Sequence, residues 1–301
     1  MKAIIPSAGL GTRFMPVTKS VPKELLPVIN KPVIQYVVEE ANAAPASEGA
    51  VIVNSPEKPL IEDYFQRRIL LEDTLRKRDK HDLADLIEYV GQLPISTVYQ
   101  HAPLGLGHAV YCASQETGNE PFYVLLADVI VPDHSILPML YEVSQKHGGA
   151  SVVAVIEVSE EETSRFGIIS GSYIEHIENE QAVLSGALSK TSRGSVYKLD
   201  SMVEKPAPGE APSRLALFGR YLLSPNIMGI LRDTKAGRGG EIQLTDAMLT
   251  LLETEDIYAL VIGKDDGYDT GTVANLIAAN IKMAQRDEKL SESIKNMLKN
   301  E

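Results

Sequence analysis

The chain has 301 residues, a formal net charge of −12 and 44% hydrophobic residues. That length supports one sizeable α/β core, and no apolar run approaches the roughly 20 residues that a bilayer-spanning helix needs. The acidic balance argues against a broad nucleic-acid-binding face, so a phosphate ligand must be held by locally placed cations and backbone N–H groups. No membrane or nucleic-acid partner is therefore expected.

The opening apolar stretch, Ala3 to Pro6, reaches glycines too soon for a secretory leader, which predicts a cytoplasmic protein. Lys2 to Pro6 reads as a short buried strand, followed by a glycine-containing turn over Ser7 to Thr12 and polar loop up to Lys31. Pro32 suits the first turn of a helix running from Val33 to Ala44. Ala50 to Asn54, Ser96 to Gln100 and Phe122 to Leu126 supply further strands with helical patterns between them. This alternation predicts a Rossmann-like, mostly parallel (mixed) sheet flanked by helices.

Between the second and third strands, Glu57 to Val90 is charged and helix-prone, and reads as an inserted helical hairpin with a solvated face. Ser151 to Val158 is a strand, Gly167 to Ile177 resembles a hairpin built on Gly171-Ser172, and a polar stretch from Glu178 precedes a strand over Val196 to Glu204. Gly219 to Leu223 reads as another strand, and Val273 to Lys299 has helical spacing. The expected organisation is a single domain over 1–301: a first part over 1–150 with the insertion at 57–90, a second part over 151–272, and a C-terminal helix over 273–301.

The chemistry concentrates near the N-terminus. Gly9-Leu10-Gly11-Thr12-Arg13 follows the first strand, where glycines let backbone N–H groups approach phosphate oxygens. Phe14 stands where a dinucleotide-binding loop has its third glycine, and no Gly-Lys-Ser/Thr follows, so neither the dinucleotide loop nor a Walker loop is present. Arg13, Lys19 and Lys23 share this segment with Pro16, Pro22 and Pro27, which stiffen it and fix where the cations point. Such preorganised cations suit a departing pyrophosphate. Asp128 ends a predicted buried strand, the usual ligand edge of an open α/β sheet, and is a candidate magnesium ligand. Glu204 and Lys205 are adjacent and, in an extended strand, would point apart. Cys112 is the only cysteine and the six histidines are scattered; His108 reads as a turn or packing residue, and zinc is not expected.

These motifs carry a resemblance. Gly9-Leu-Gly-Thr-Arg13, Pro16, Thr18-Lys19, Pro22-Lys23-Glu24-Leu-Leu-Pro27 and Lys31-Pro32 resemble the opening signature of the nucleotidylyltransferases that activate sugar 1-phosphates. Gln35-Tyr-Val-Val38, Gly105-Leu-Gly-His-Ala109, Val203-Glu-Lys-Pro206 and Gly240-Glu-Ile-Gln-Leu-Thr-Asp246 are similar to the bacterial UTP–glucose-1-phosphate uridylyltransferase group. The resemblance implies UTP and glucose 1-phosphate as substrates, Mg2+ as cofactor, direct displacement and a homodimer or homotetramer. It implies that Ala8, Gly9, Gly11, Glu24, Gln100, Gly105 and Gly107 serve the nucleotide, Arg13 and Lys23 its phosphates, and Gly167, Glu204 and Lys205 the sugar phosphate. Asp128 and Asp269 would be the metal carboxylates. Ala127 and Thr270 depart from the group's usual proline and cysteine, Thr270 toward the thymidylyltransferase form, which leaves a thymidylyltransferase or a regulatory, non-catalytic relative as alternatives.

Overall fold

The structure, a computed structural model, describes residues 1–177 and 189–292. The expected polar stretch beginning at Glu178 and the end of the expected C-terminal helix lie partly outside those residues. Among the described residues, nine strands form one sheet in the spatial order Ile95–Tyr99, Ala50–Asn54, Ala3–Pro6, Phe122–Leu125, Leu215–Leu223, Ser151–Glu157, Ile257–Val261, Ser195–Glu204 and Gly167–His176. The first four run parallel; the Leu215–Leu223 strand is antiparallel to both of its neighbours in this order. The sheet is mixed, with its antiparallel pairings on the side that follows residue 150.

Alternating side chains explain why the sheet is covered on both faces. Ala3 and Ile5 join one buried layer with Ile34, Val37 and Val38 of the helix Val33–Ala43 and with Ile136, Leu137 and Leu140 of the helix Ile136–Lys146. Ile4 points the other way, into a layer with Ala109 and Val110, Ile227 and Leu231, and Leu244, Met248 and Leu251 from the helices Leu106–Cys112, Ile227–Asp233 and Leu244–Leu251. Phe122 and Tyr123 divide between the two layers in the same way.

Three expectations change. The loop before Lys31 contains three short 3-10 turns and a two-residue hairpin ladder, Pro27–Val28 against Lys31–Pro32, and Pro32 sits extended just before its helix. Gly167–His176 is one continuous strand, not a hairpin, and pairs along its length with Ser195–Glu204. Gly171 is needed there because a Cβ would stand 2.3 Å from the carbonyl oxygen of Lys198, where the ladder has a bulge. The helix from Val273, capped by Thr272 Oγ1 accepting from the Asn275 amide at 3.2 Å, is interrupted at the extended Asp287, and helical backbone resumes over 288–292, with Asp287 Oδ1 accepting from the Leu290 amide at 3.0 Å. The inserted segment folds as the helices Pro59–Tyr64, Ile69–Arg76 and His81–Val90, the last two packed as a hairpin whose Leu70 is 85% exposed. No helix among the described residues is long and apolar enough to cross a membrane.

At the far edge of the sheet, the buried Glu175 accepts from Lys146 and, at 2.9 Å, pairs with His147, which stacks on Tyr258. Burial would raise the Glu175 carboxyl, but the Lys146 and His147 hydrogen bonds outweigh it and hold the group below its ordinary value. A carboxyl depressed in the folded state stabilises the fold above its unfolded value and loses that contribution as pH falls through the folded one. Thermal melts from pH 6 down to about 3 should therefore show a steeper loss of Tm for the parent protein than for Glu175→Gln, and parallel curves would contradict this assignment.

Candidate active site

At the C-terminal ends of the parallel strands, a cleft of about 430 Å3 opens between the turn after Pro6, the 3-10 turn Lys23–Leu25, and the ends of the Ile95–Tyr99 and Phe122–Leu125 strands. Such ends are where open α/β sheets accept ligands, because the connecting loops diverge there. Its lining includes Ala8, Gly9, Gly11, Lys23, Glu24, Gln100, Gly105 and Asp128, so eight of the predicted site residues converge on one space. A Cβ on Gly9 would meet nothing within 4 Å, which leaves this backbone open to a ligand from the cleft side. Gly11 takes φ +65°, a left-handed conformation that suits glycine, and its carbonyl is held by Thr18 Oγ1 at 2.8 Å.

Lys23 Nζ donates to Asp128 Oδ2 at 2.7 Å. Burial alone would lower the Lys23 ammonium, but Asp128 and Glu24 beside it hold it above the ordinary lysine value. Burial likewise pushes Asp128 up, and Lys23 then Arg13 bring it below the usual carboxylate value. Both groups are therefore charged at neutral pH, each stabilised by the other. Arg13 lies outside the cleft lining, with its Nη1 donating to the Gly271 carbonyl oxygen at 3.5 Å beside Asp128.

Asp269 pairs in register with Val129, which brings the second acidic residue to the first. A Cβ on Gly271 would lie 2.9 Å from Asp269 Oδ1 and 3.2 Å from Asp128 Oδ2, so both carboxylates border that glycine. Asp269 is nonetheless already engaged: Oδ1 accepts from the Gly271 amide at 2.7 Å and Oδ2 from Asn275 Nδ2 at 2.7 Å. These two bonds fix the Asp269 carboxylate beside Asp128, and each of its oxygens keeps a second lone pair, so the two carboxylates stand as neighbouring oxygen donors. Asp128 remains a fitting oxygen donor for a magnesium ion, which takes one or two carboxylates and completes its shell with phosphate oxygens and water.

Gln100 is buried, and its Nε2 donates to the Gly105 carbonyl oxygen at 3.0 Å and lies 2.9 Å from His108 Nδ1. A carbonyl can only accept, so the amide nitrogen must face Gly105; His108 Nδ1 is then the acceptor of a neutral ring. Burial lowers the His108 ring below its ordinary value, in keeping with that neutral form. Both N–H groups of Gln100 are thus used, and its Oε1 is left as an acceptor on the cleft wall. Gly107 does not line the cleft: its amide donates to the Ile242 carbonyl oxygen at 2.8 Å, and a Cβ there would stand 2.9 Å from the same oxygen.

Gly167, Glu204 and Lys205 form a second cluster, outside the cleft lining. Gly167 pairs in register with Glu204, whose Oε2 accepts from Thr245 Oγ1 at 2.8 Å. The expected divergence of Glu204 and Lys205 is wrong: the chain leaves its strand at Lys205 with φ +46°, and Lys205 Nζ meets Glu204 Oε1 at 2.8 Å. The segment from Glu241 to Thr245 links the two clusters, since Glu241 lines the cleft and Thr245 holds Glu204.

Sequence reasoning missed Lys58. It enters from the insertion to donate to Ser7 O at 2.7 Å and to both oxygens of Glu24, at 3.1 and 3.0 Å. Burial pushes Glu24 up and Lys58 down, each partly offset by its partner. No local signal marks Lys58, because its partners lie 34 and 51 residues earlier. Thr270, noted only as a departure, has a role: its Oγ1 and amide donate to the Asp128 carbonyl oxygen at 2.8 and 2.7 Å.

Residues 2–286 match the model of the nucleotidyl transferase family. The chain belongs to that family. It is 42% identical to UTP–glucose-1-phosphate uridylyltransferase 2 of Staphylococcus saprophyticus over 300 residues, 99% of this chain and 96% of that one. Among solved structures, it superposes on a UTP-bound UGPase from Acinetobacter baumannii with a TM-score of 0.84 at 34% identity, covering 99% of this chain and 98% of the other. A UDP-glucose pyrophosphorylase solved with UDP-glucose gives a TM-score of 0.76 at 38% identity, with 95% and 98% covered. The nucleotidyltransferase fold of these enzymes is this chain's fold.

Lys58→Met leaves Glu24 buried without its cation and should lower unfolding stability in urea by about 3 kcal/mol. Adding Glu24→Gln should recover most of that loss. Simple addition of the two single losses would contradict the ion-pair account.

Proposed function

We propose that the chain transfers the uridylyl group of UTP to glucose 1-phosphate, giving UDP-glucose and pyrophosphate. The observation that carries the base assignment is the orientation of Gln100: with its amide nitrogen committed to Gly105 and His108, its Oε1 offers an acceptor to the cleft. Uracil and thymine have an N–H at position 3 that such an acceptor recognises, whereas cytosine has an unprotonated nitrogen there. Similarity to uridylyltransferases at 42% identity over nearly the whole chain favours uracil, and supports the choice of sugar phosphate.

In this reading a phosphate oxygen of glucose 1-phosphate attacks the α-phosphorus of UTP. A new phosphorus–oxygen bond forms as the bond from the α-phosphorus to the bridging oxygen breaks, and pyrophosphate leaves with the electron pair. The attacking oxygen is already anionic, so no general base is required and catalysis rests on alignment and charge compensation. Lys23, now on Asp128, is within reach of the cleft and would hold the triphosphate, with Arg13 on the leaving group. Lys205 would hold the sugar phosphate, while Glu204, backed by Thr245, accepts from sugar hydroxyls beside Gly167. A magnesium ion held by Asp128 and Asp269 together with phosphate oxygens would supply further neutralisation of the triphosphate charge.

The same reading takes the protein to be cytoplasmic and to act as a homodimer or homotetramer. Self-association is supported by the exposed Ile69, Leu70, Leu83 and Leu86 of the inserted helices.

Two substitutions separate the roles. Lys205→Ala should raise KM for glucose 1-phosphate about tenfold or more while leaving that for UTP within about threefold, and Asp128→Asn should lower kcat by at least about 100-fold. Normal magnesium-dependent turnover by Asp128→Asn would remove that carboxylate from the mechanism.

A further inference from the structure

Arg220 lies in the Leu215–Leu223 strand and is fully buried, as is Glu40 of the helix Val33–Ala43. Its Nε and Nη2 form a fork on Glu40 at 3.0 and 2.8 Å. A guanidinium has three further N–H groups, and all are used on backbone carbonyls: Nη2 on Val129 at 2.6 Å, and Nη1 on Leu126 at 3.2 Å and Gly219 at 3.3 Å. Leu126 and Val129 flank Ala127 and Asp128.

We infer that Arg220 is a positioning residue for Asp128, acting by clamping the carbonyl groups on either side of it. A core ion pair alone would use only the two donors facing Glu40. Of the remaining three, two fix a four-residue turn at its two ends, Leu126 and Val129, and the third holds Gly219 in Arg220's own strand; the turn so fixed presents Asp128 to Lys23. The turn is held elsewhere by backbone contacts that depend on the same geometry. The Leu126 amide donates to Gly219 O at 2.9 Å, and Thr270 closes on Asp128 O from the opposite side. Val129 then pairs with Asp269, so the clamp also sets the register of the Tyr268–Asp269 strand and, through it, the Gly271 turn beside Arg13.

The charge on Glu40 has a separate purpose. A guanidinium with no exposure to water must be neutralised, and Glu40 does this from the layer beneath the sheet. Lysine at 220 would retain the charge but could not span Glu40, Leu126 and Val129, because its three donors diverge from one nitrogen instead of forming a planar fork. The inference rests on the proposed role of Asp128.

The test separates positioning from stability. In the paired variant Arg220→Met with Glu40→Leu, a buried ion pair is replaced by apolar side chains of comparable size, a change that commonly leaves stability intact. It should fold, yet show kcat lowered about 10- to 100-fold with both KM values within about threefold, as expected when a reacting group is displaced by up to roughly an ångström. Amide hydrogen exchange should quicken at Leu126, Val129 and Thr270 and stay unchanged in the Ile95–Tyr99 strand, four strands away from Arg220 in the sheet. Arg220→Lys with Glu40 intact should show the same local pattern. Turnover like that of the parent protein in the folded paired variant would overturn the inference, as would faster exchange spread evenly over the sheet in both variants. The Asp128 reading fails independently, if Asp128→Asn is active; the clamp alone fails if Asp128→Asn is inactive while the paired variant is not.

Discussion

A lysine ammonium and an aspartate carboxylate 2.7 Å apart, both largely withdrawn from water, are the constraint around which this end of the molecule is organised. Neither charge is tolerable there alone, since burial opposes the charged form of each. The two arrive from segments 105 residues apart in sequence, so the pair exists only when the sheet brings the turn after the first strand next to the end of the fourth. Around it stand successive supports: Lys58 ties Glu24 to the Ser7 carbonyl, Thr270 holds the Asp128 carbonyl, and Arg220 spans the turn from below. Buried polar groups of this kind stabilise a unique arrangement only when each donor finds a partner, as they do for Arg220.

The charge balance of the chain then makes physical sense. A protein with net charge −12 gains nothing from general attraction for anionic substrates. Its cations must be few, preorganised and sheltered, and Lys23 and Lys58 are both held by carboxylates inside the cleft wall. A carboxylate partner keeps a lysine charged and aimed until a phosphate replaces it. The acidic surface leaves the rest of the molecule indifferent to polyanions, so recognition is confined to the cleft.

Most of the short strands are legible in the sequence because they are apolar and bounded by turn residues: Ala50–Asn54 is read to the residue, and others to within one or two at most ends, whereas the equally apolar Ile257–Val261 escapes the reading. The long strands after residue 150 were read less well. Gly171 looks like a turn when only local sequence is considered, and its reason for being glycine is a carbonyl that arrives from a strand 27 residues later. The cleft residues with a local pattern, from Gly9 to Glu24 and from Gln100 to Gly105, were found together. Lys58 and Arg220 were not, because nothing near them in the chain distinguishes a clamp from an ordinary charged residue in an insertion or a strand. Lys205 shows the converse: adjacency suggested separation from Glu204, and a positive φ at one residue joined them.

The central claim is transfer of a nucleotidyl group carrying an imino base, with uracil the specific one. The most direct measurement is pyrophosphate release by the purified protein with magnesium, glucose 1-phosphate and, in separate reactions, UTP, dTTP, CTP, ATP and GTP. The account predicts release with UTP well above the others and little with CTP, the test of the Gln100 acceptor. Preference for dTTP would retain that acceptor but contradict the uridylyl assignment. Preference for CTP or a purine triphosphate, or no release with any of the five, would contradict the account itself.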